Sequence, residues 1–354
     1  MYKKIEKIIV IGFILTLAIT GIIFGIKESN LFNKENILHN DQSFTAKNIN
    51  TFKIPEEKRI LFVGDLMLSR GVEYQMKKKV NDFYPFEKIS QFLKNFDIVA
   101  GNLEGPIIKN PPKFISTSLS FAFASNTAKN LYLANFNLLF LANNHLSDAG
   151  EKGFLETKDF LKMANIDFIG GPVKCDEESF LKKDDIVFSA FNKTFAFNCS
   201  NEEIAKMVKK IKTENPDKFL IVIFHWGEEY QTHSSIYQQN LAHETIEAGA
   251  DLIIGSHPHV VQEIEEYKNK LIFYSLGNFI FDQYFSIETQ ESLGVGLEIY
   301  PEKIAYKLFP IQSYLSQPFL MDSTTTEKFL DNLSQKSDKD LFEQIKEGII
   351  SFPR

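Results

Sequence analysis

Between residues 59 and 279 the chain contains eight short apolar runs, and these runs limit the folds that it can adopt. The runs are RILFVGD (59–65), DIVAGNLE (97–104), FNLLFLANN (136–144), IDFIGG (166–171), DIVFSAFN (185–192), KFLIVIFHWG (218–227), ADLIIGSH (250–257) and KLIFYSLGNF (270–279). Helix-like segments at 151–164, 201–213 and 236–249 separate several of them. Strands that are apolar throughout are buried on both faces, and helical connections join parallel strands. The pattern therefore predicts an α/β domain with a largely internal sheet.

The flanking segments set the limits of this domain. Residues 28–57 lack a sustained periodicity of apolar residues and are rich in Asn, Lys and Ser, which predicts a linker. The folded domain is expected over 58–320. After residue 292, the runs GVGLEIY and KIAYKLFPI alternate as exposed antiparallel strands do. The charged segment 321–354 is predicted to be a peripheral helical extension.

The amino-terminal segment predicts a membrane anchor over residues 1–27. Residues 8–26 carry no charge, and at about 1.5 Å per residue they cross most of a hydrocarbon core of roughly 30 Å. Lys3, Lys4 and Lys7 precede this stretch, so the positive-inside rule keeps the amino terminus cytoplasmic and the domain extracytoplasmic. A cleaved signal peptide is the alternative, but the apolar stretch is longer than usual and no small-x-small cleavage site follows it. We therefore expect a single-pass protein of the cell membrane.

Charge and cysteine content exclude two further classes. The formal net charge is −7, whereas a protein that tracks nucleic-acid phosphates needs a basic excess or a basic stripe. Nucleic acid is therefore not expected as a partner. Cys175 and Cys199 are the two cysteines of the chain, so no disulfide framework is predicted. A single bridge between them stays open at this point.

Five of the apolar runs end in residues that can bind a metal ion. These residues are Asp65, Glu104, Asn144 with His145, His225, and His257 with His259. Ligands bind at the carboxyl edge of the strands in open α/β sheets, so these side chains are expected to converge. A mixed oxygen and nitrogen set suits Mn, Zn or Fe, and the lack of cysteine argues against a closed structural zinc site.

Each of these residues also has a structural alternative. Asp65 and Asn144 can serve as turn or helix-cap residues, and His225 can pack in the core. His257 and His259, in contrast, flank a proline, where an extended backbone would direct both side chains the same way, and such a pair already indicates a metal site. Agreement among five independent strand ends favours a shared metal site over these separate alternatives.

The motifs along this region resemble those of a known family. GDLMLSR, GNLEGPI, LANNHLSDAG, HWGEEY, GADLIIGSHPHVVQ and YSLGNFIF occur in this order over about residues 58–285. The series resembles the poly-gamma-glutamate capsule synthesis protein CapA family, within the calcineurin-like metallophosphatase superfamily. The resemblance implies a four-layer α/β/β/α sandwich with a two-metal site, on the outer face of a bacterial membrane.

The resemblance also implies a role for each site residue. The residues that resemble metal ligands are Asp65, Glu104, Asn144, His225, His257 and His259, with Glu104 in the place of the usual bridging aspartate. His145 resembles the histidine that protonates a leaving group, and Asp148 is placed where it would orient that ring. Arg70 and Asn278 are predicted to contact an anionic substrate.

One position departs from the superfamily pattern. Met67 stands where the phosphatases carry the histidine of an Asp-x-His motif, and a thioether is a poor ligand for a hard divalent ion. We therefore expect one or two ions per chain, one of them held weakly. Glu228 and Glu229, in HWGEEY, either repel a polyanion or bind a further cation.

Two classes of function remain open from the sequence. The first is a metal-dependent hydrolase or transferase that acts on an envelope phosphoester or on the poly-gamma-glutamate chain. The second is a non-catalytic accessory subunit that assists polymer synthesis or export together with capsule-synthesis membrane proteins. A Ser-His-Asp hydrolase is set aside because no G-x-S-x-G elbow follows a strand.

Overall fold

The computed structural model describes residues 58–112, 119–172, 175–195 and 198–353. The membrane anchor predicted over 1–27 and the linker predicted over 28–57 lie outside these residues. Within the described ranges, no helix combines the length and the apolar character that a membrane crossing requires. The anchor therefore stays a prediction.

The described residues form β-strands, several of which are connected by α-helices. The strands are β1 Arg59–Leu66, β2 Ile98–Leu103, β3 Ile107–Ile108, β4 Phe123–Ala124, β5 Leu138–Phe140, β6 Asp167–Ile169, β7 Phe180–Lys183, β8 Ile186–Asn192, β9 Phe219–His225, β10 Leu252–Ser256, β11 Ile264–Tyr267, β12 Lys270–Phe273, β13 Asn278–Ile280, β14 Glu291–Ile299, β15 Lys303–Tyr314, β16 Gln317–Leu320 and β17 Ile349–Pro353. The α-helices are α1 Arg70–Lys79, α2 Ser90–Leu93, α3 Thr127–Leu133, α4 Gly150–Met163, α5 Asn201–Glu214, α6 Ile236–Glu247, α7 Ser323–Lys336 and α8 Phe342–Lys346.

The strands form two large sheets. The larger sheet has the order β16-β15-β14-β1-β2-β5-β6, with β13 paired to β1 and β17 to β15. The smaller sheet has the order β11-β12-β10-β9-β8-β7. Strands β1, β2, β5 and β6 run parallel, as do β8, β9, β10 and β12. Each sheet therefore has an edge at which several carboxyl ends lie side by side.

Apolar side chains of the two sheets face each other in a shared core. The Phe62 and Phe188 rings, one from each sheet, have centroids 6.3 Å apart. The opposite face of the larger sheet packs on α1, α3 and α4, and that of the smaller sheet packs on α5 and α6. Sheets that are covered on both faces explain why their strands are apolar throughout. The mixed α/β fold predicted from the sequence is confirmed.

Two helices of the smaller sheet begin at capping boxes. At the start of α5, the Ser200 side chain accepts a hydrogen bond from the Glu203 N–H, and the Glu203 carboxylate accepts one from the Ser200 N–H. Ser235 and Gln238 form the same arrangement at the start of α6. These bonds satisfy amide groups that otherwise lack partners at a helix start. They fix the residue at which each helix begins.

The carboxyl-terminal third differs from the sequence prediction in two respects. Strand β14 is antiparallel, as expected, but it is buried because it lies between β1 and β15 and its glycines are covered. A Cβ atom at Gly296 would lie 2.9 Å from the Phe309 ring. The segment predicted as a peripheral helical extension instead contributes Phe329 and Leu333 to the shared core. Its last strand, β17, pairs with β15.

The structure pairs Cys175 with Cys199, the bridge that the sequence left open. Their Cα atoms are 5.9 Å apart, and the two residues are separated by 24 positions. A loop of this length corresponds to about 3 kcal/mol of stabilisation in the chain-entropy description. Disulfides of this kind persist in oxidising compartments.

Candidate metal centre

The predicted ligands lie where the carboxyl ends of the two sheets meet. The larger sheet contributes Asp65 at the end of β1, Glu104 just after β2 and Asn144 after β5. The smaller sheet contributes His225, the last residue of β9, and the turn after β10. His225 Nε2 and Asn144 Oδ1 are 2.8 Å apart, which joins ligands from the two sheets. The His257 N–H donates to Asp65 Oδ2 at 3.2 Å and makes a second connection.

Three buried side chains form the centre of the cluster. Asp65 and Glu104 are fully buried, and His259 is 2% exposed. His259 Nδ1 lies 3.4 Å from Asp65 Oδ2, and His259 Nε2 lies 3.7 Å from Glu104 Oε1. One ligand atom from each residue lies within 4.8 Å of the other two. That spacing lets the three residues share one cation.

The residues present fit a divalent ion. Among the described residues, the buried atoms without a hydrogen-bond partner include Glu104 Oε1 and His257 Nδ1. Burial, followed by the charge of Asp65, raises the pKa of Glu104 well above its ordinary value of 4.5. Two buried carboxyl groups and an unpartnered imidazole nitrogen are costly unless a cation compensates them. The set of oxygen and nitrogen donors, without sulfur, suits the ions predicted from the sequence.

The imidazoles of His225 and His257 are held in the neutral form that binds metal. Burial lowers the pKa of His225 well below its ordinary value of 6.5, and the charges of His257 and His259 lower it further. Burial also lowers the pKa of His257 to about 4. Neutral imidazole keeps the lone pair that a metal ion requires. The buried site therefore keeps these rings ready to bind an ion at neutral pH.

Backbone geometry at the His-Pro-His turn is unusual. His257 has φ = 98° and His259 has φ = 60°, in the region that disfavours residues with a Cβ atom. Such conformations cost about 1–3 kcal/mol each and concentrate at functional sites. The turn replaces the extended backbone that the sequence predicted here, and it still brings the two rings to one site.

We predict that His257 makes the metal-free protein less stable in acid. Its folded pKa of about 4 lies below the ordinary 6.5. Its stabilising contribution is therefore complete above pH 6.5 and is lost as the pH falls toward 4, by the order of 3 kcal/mol. Chemical denaturation of the wild type and His257→Gln isolates this contribution. The stability difference between them should shrink over that window, and a constant difference would contradict the prediction.

An amide network that the sequence interpretation missed supports the ligands. Asn102, within β2, donates through Nδ2 to Asp65 Oδ1 at 2.8 Å, and its Nδ2 lies 3.2 Å from His225 Nδ1. Asn143 donates through Nδ2 to Asn102 Oδ1 at 3.0 Å. The signal in the sequence was an asparagine inside an otherwise apolar run, because a buried amide needs partners. Asn102 thus connects ligands from both sheets.

His145 and Asp148 form a hydrogen-bonded pair beside the ligands. His145 Nδ1 lies 2.8 Å from Asp148 Oδ2, which also accepts from the Phe121 N–H at 2.7 Å. The His145 ring packs on Phe121 with centroids 4.0 Å apart. His145 Nε2 faces the cluster, 4.0 Å from Glu104 Oε1. The structure therefore brings the predicted proton donor and its orienting carboxylate to the centre.

Arg70 lies on the same side as His145. Its guanidinium pairs with Asp282 and stacks over the Phe121 ring, 4.7 Å from the centroid. Asp282 also accepts from the Gly71 N–H at 2.8 Å and so fixes the start of α1. The sequence did not reveal Asp282 or Phe121, because both are distant from Arg70 along the chain. Contact between Arg70 and a substrate stays a prediction.

The structure does not favour the substrate-binding role predicted for Asn278. Asn278 is 1% exposed, and its Oδ1 lies 2.9 Å from His259 Nδ1. Its Nδ2 donates to Gln283 Oε1 and to the Thr289 carbonyl. Both N–H groups of the amide donate to protein groups, so neither is left to bind an anionic substrate. Asn278 instead orients the His259 ring and leaves Nε2 available to an ion.

Met67 packs as a core residue. It is fully buried in the apolar cluster on the outer face of the larger sheet. Its sulfur lies 3.2 Å from both the Ser69 N–H nitrogen and the Ser69 Oγ. The thioether thus contacts Ser69. The position that carries a histidine in the phosphatases contributes no nitrogen ligand here.

Comparisons with known proteins agree with this arrangement of motifs. The family model described as bacterial capsule synthesis protein PGA_cap matches residues 59–283 of this chain. Capsule biosynthesis protein CapA of Bacillus anthracis is 35% identical over 258 residues, which cover 64% of this chain and 61% of that protein. PGA biosynthesis protein CapA of Bacillus subtilis (strain 168) is 31% identical over 242 residues, which cover 63% of each chain. The match thus spans about three fifths of the length of these curated relatives.

The similarity to solved structures is low. The purple acid phosphatase PPD1 from yellow lupin seeds has 12% sequence identity and a TM-score of 0.39, with 75% of this chain and 53% of that chain covered. A likeness at this level carries no functional conclusion. The family match, in contrast, covers more than half of the chain and includes the strands that position the predicted ligands. The chain belongs to the family of bacterial capsule synthesis proteins described as PGA_cap.

Proposed function

We propose that the chain acts in poly-gamma-glutamate capsule synthesis or export through a divalent-metal hydrolase or transferase centre. The observation that carries this proposal is the buried, unpartnered pair of ligand atoms, Glu104 Oε1 and His257 Nδ1, beside Asp65 and His259. A purely structural core would satisfy or remove such groups. The facing sheets and their ligand-bearing edges support the predicted calcineurin-like four-layer fold.

The chain would hold its ion or ions with the ligands predicted from the sequence. These are Asp65, Glu104, Asn144, His225, His257 and His259. A bound Mn, Zn or Fe ion supplies Lewis-acid polarisation of the attacked group and lowers the pKa of water. The protein contributes a site whose donors are already buried and oriented by Asn102 and Asn278.

The chain's own residues supply the proton and the orientation of the substrate. Asp148 holds His145 through Nδ1, so Nε2 can donate a proton to the leaving atom. Phe121 covers one face of the imidazole and limits water access there. Arg70, aligned by Asp282, lies where it can orient an anionic group. The substrate class is therefore the poly-gamma-glutamate chain or another anionic envelope compound such as a phosphoester.

A second candidate is a non-catalytic accessory subunit that binds the polymer and other capsule-synthesis membrane proteins. The ion pair of Arg70 with Asp282 favours this candidate over the enzyme, because it reduces the positive charge with which Arg70 could hold the reacting anionic group of a substrate. The two candidates differ in turnover. The accessory subunit needs an intact fold and polymer contact, whereas the enzyme also needs His145.

Turnover by the purified full-length protein tests the proposal. We expect the metal-loaded wild type to cleave or transfer a phosphoester or a glutamyl polymer, and chelation or Asp65→Asn to abolish that activity. Cells that carry Asp65→Asn in place of the wild type should produce less poly-gamma-glutamate. Normal polymer output from folded, metal-free Asp65→Asn protein would reject the metal centre as the source of function.

We also propose that the described domain lies outside the cytoplasmic membrane, behind an anchor over residues 1–27. The lysines before the apolar stretch and the Cys175–Cys199 bridge support this orientation. Protease added to intact cells, with the outer layers made permeable, should therefore digest the domain beyond residue 58. Protection of the domain until the membrane is lysed would overturn the proposed orientation.

A further inference from the structure

Glu229 lies at the solvent side of the predicted metal centre. One of its carboxylate oxygens, one His257 nitrogen and one His259 nitrogen lie within 4.8 Å of one another. Glu229 is exposed, whereas both histidines are buried. This group shares His259 with the fully buried group of Asp65 and Glu104. The two groups therefore form adjacent parts of one cluster.

The loop that carries Glu229 is fixed against the His-Pro-His turn. The Tyr230 N–H donates to the Pro258 carbonyl at 2.8 Å, so the residue after Glu229 is tied to the residue between the two histidines. Gln283 donates through Nε2 to the Tyr230 hydroxyl at 3.0 Å. Gly227, with φ = 86°, supplies the left-handed turn that leads from β9 into this loop. The position of Glu229 thus follows from the turn before it and from the contacts of Tyr230 after it.

One nitrogen of His257 lacks a hydrogen-bond partner of its own. His257 is 7% exposed, and its Nδ1 is buried without a hydrogen bond among the described residues. A buried imidazole nitrogen with no partner loses the free energy of its hydration. A cation bound through that nitrogen would compensate the loss, and a nitrogen of His257 lies within 4.8 Å of a Glu229 oxygen and a His259 nitrogen. A carboxylate and two imidazoles form a ligand set used for divalent transition metals.

Position 67 leaves room for a further ligand. Met67 directs its sulfur to Ser69 and adds nothing to the cluster. We propose that Glu229 is a metal ligand that completes the centre from the solvent side, in place of the ligand that position 67 does not supply. This inference rests on the proposed metal centre and extends it to the more weakly held ion. It assigns to Glu229 the cation-binding alternative that the sequence left open.

The neighbouring Glu228 offers a matched control. It has the same charge and lies one position earlier in the same loop, and it is also exposed. It does not belong to either candidate group of metal ligands among the described residues. Glu228→Gln and Glu229→Gln therefore remove the same charge from the same loop, and only the second removes a proposed ligand.

Equilibrium titration of metal-free, full-length protein with Mn²⁺ tests the inference without any activity assay. Electron paramagnetic resonance of free Mn²⁺ gives the number of ions bound and their affinities. We expect Glu229→Gln to weaken the lower-affinity ion by at least about 10-fold, because a lost ligand should cost no less than a lost supporting contact. Glu228→Gln should bind as the wild type does. Glu229→Asp should restore part of the lost affinity.

Each other outcome has a distinct meaning. Wild-type binding by Glu229→Gln, together with metal loss by His259→Ala, would overturn the role of Glu229 and leave the proposed centre intact. Equal weakening in Glu228→Gln and Glu229→Gln would show a general effect of charge and would also overturn the inference. Unchanged binding in His259→Ala, or no binding by the wild type, would overturn both the inference and the proposed centre. Circular dichroism of each variant excludes unfolding as the cause.

Discussion

Replacing His145 with alanine is expected to lower turnover by roughly 10²–10⁴-fold while the metal content stays unchanged. His145 is hydrogen bonded to Asp148, and its Nε2 faces the ligand cluster from 4.0 Å. It belongs to neither group of candidate metal ligands among the described residues. Its removal should therefore cost the donated proton and spare the ion. Steady-state kinetics and elemental analysis of the same preparation measure both quantities.

His243 provides the control for this substitution. It is also partly buried and pairs with a carboxylate, Glu265, at 2.7 Å, but it lies on helix α6 outside the cluster. His243→Ala should keep full turnover. Asp148→Asn should retain metal and lose part of the activity, because the ring would keep its place and lose its charged partner. If His145→Ala keeps both metal and full cellular function, proton donation is wrong and the accessory-subunit alternative is favoured.

Replacing His259 with alanine is expected to weaken metal binding by more than about 100-fold. His259 is the residue common to both candidate groups of ligands. Loss of a supporting residue typically costs 10–100-fold in affinity, and loss of a ligand that contacts the ion should cost more. The domain should remain folded, because the strands on each side pack through their own apolar side chains. Isothermal titration calorimetry with Mn²⁺ or Zn²⁺ measures the change.

A graded control accompanies this prediction. Asn278→Ala removes the amide that orients the His259 ring, so it should weaken binding by an intermediate factor of about 10–100. Thermal denaturation should show both variants folded. Wild-type affinity in both variants would mean that the two histidines of the His-Pro-His turn pack beside a proline and share no ion.

The sequence predicted most of the parallel strands because burial on both faces leaves a continuous apolar run. The runs at 59–65, 97–104 and 218–227 match β1, β2 and β9 closely. The prediction was wrong about the exposure of β14, because alternating glycines resemble a solvated face when the covering Phe309 ring is unknown. Strand β17 was missed because its pairing with β15 joins distant segments.

The candidate site also has a part that the sequence could predict and a part that it could not. Strand-end positions could be predicted, because parallel strands place their carboxyl ends together whatever the details of packing. The hydrogen-bond and ion-pair partners of the site residues could not be predicted, because they come from segments that are far apart in the sequence. Arg70 and Asp282 are 212 positions apart, and Asn278 meets His259 only because the backbone adopts a left-handed turn at that histidine. Asn278 was therefore assigned to the substrate, whereas its Oδ1 contacts His259, a predicted metal ligand.

Metal analysis of the purified full-length wild-type protein tests the central claim most directly. We predict that gel-filtered protein retains at least one Mn, Zn or Fe ion per chain. After chelation, the same protein should rebind one ion tightly and a second more weakly, and Asp65→Ala combined with His259→Ala should remove the tight ion. A folded wild-type protein that carries no divalent ion, and binds none when these metals are supplied, would contradict the metal centre and the function proposed from it.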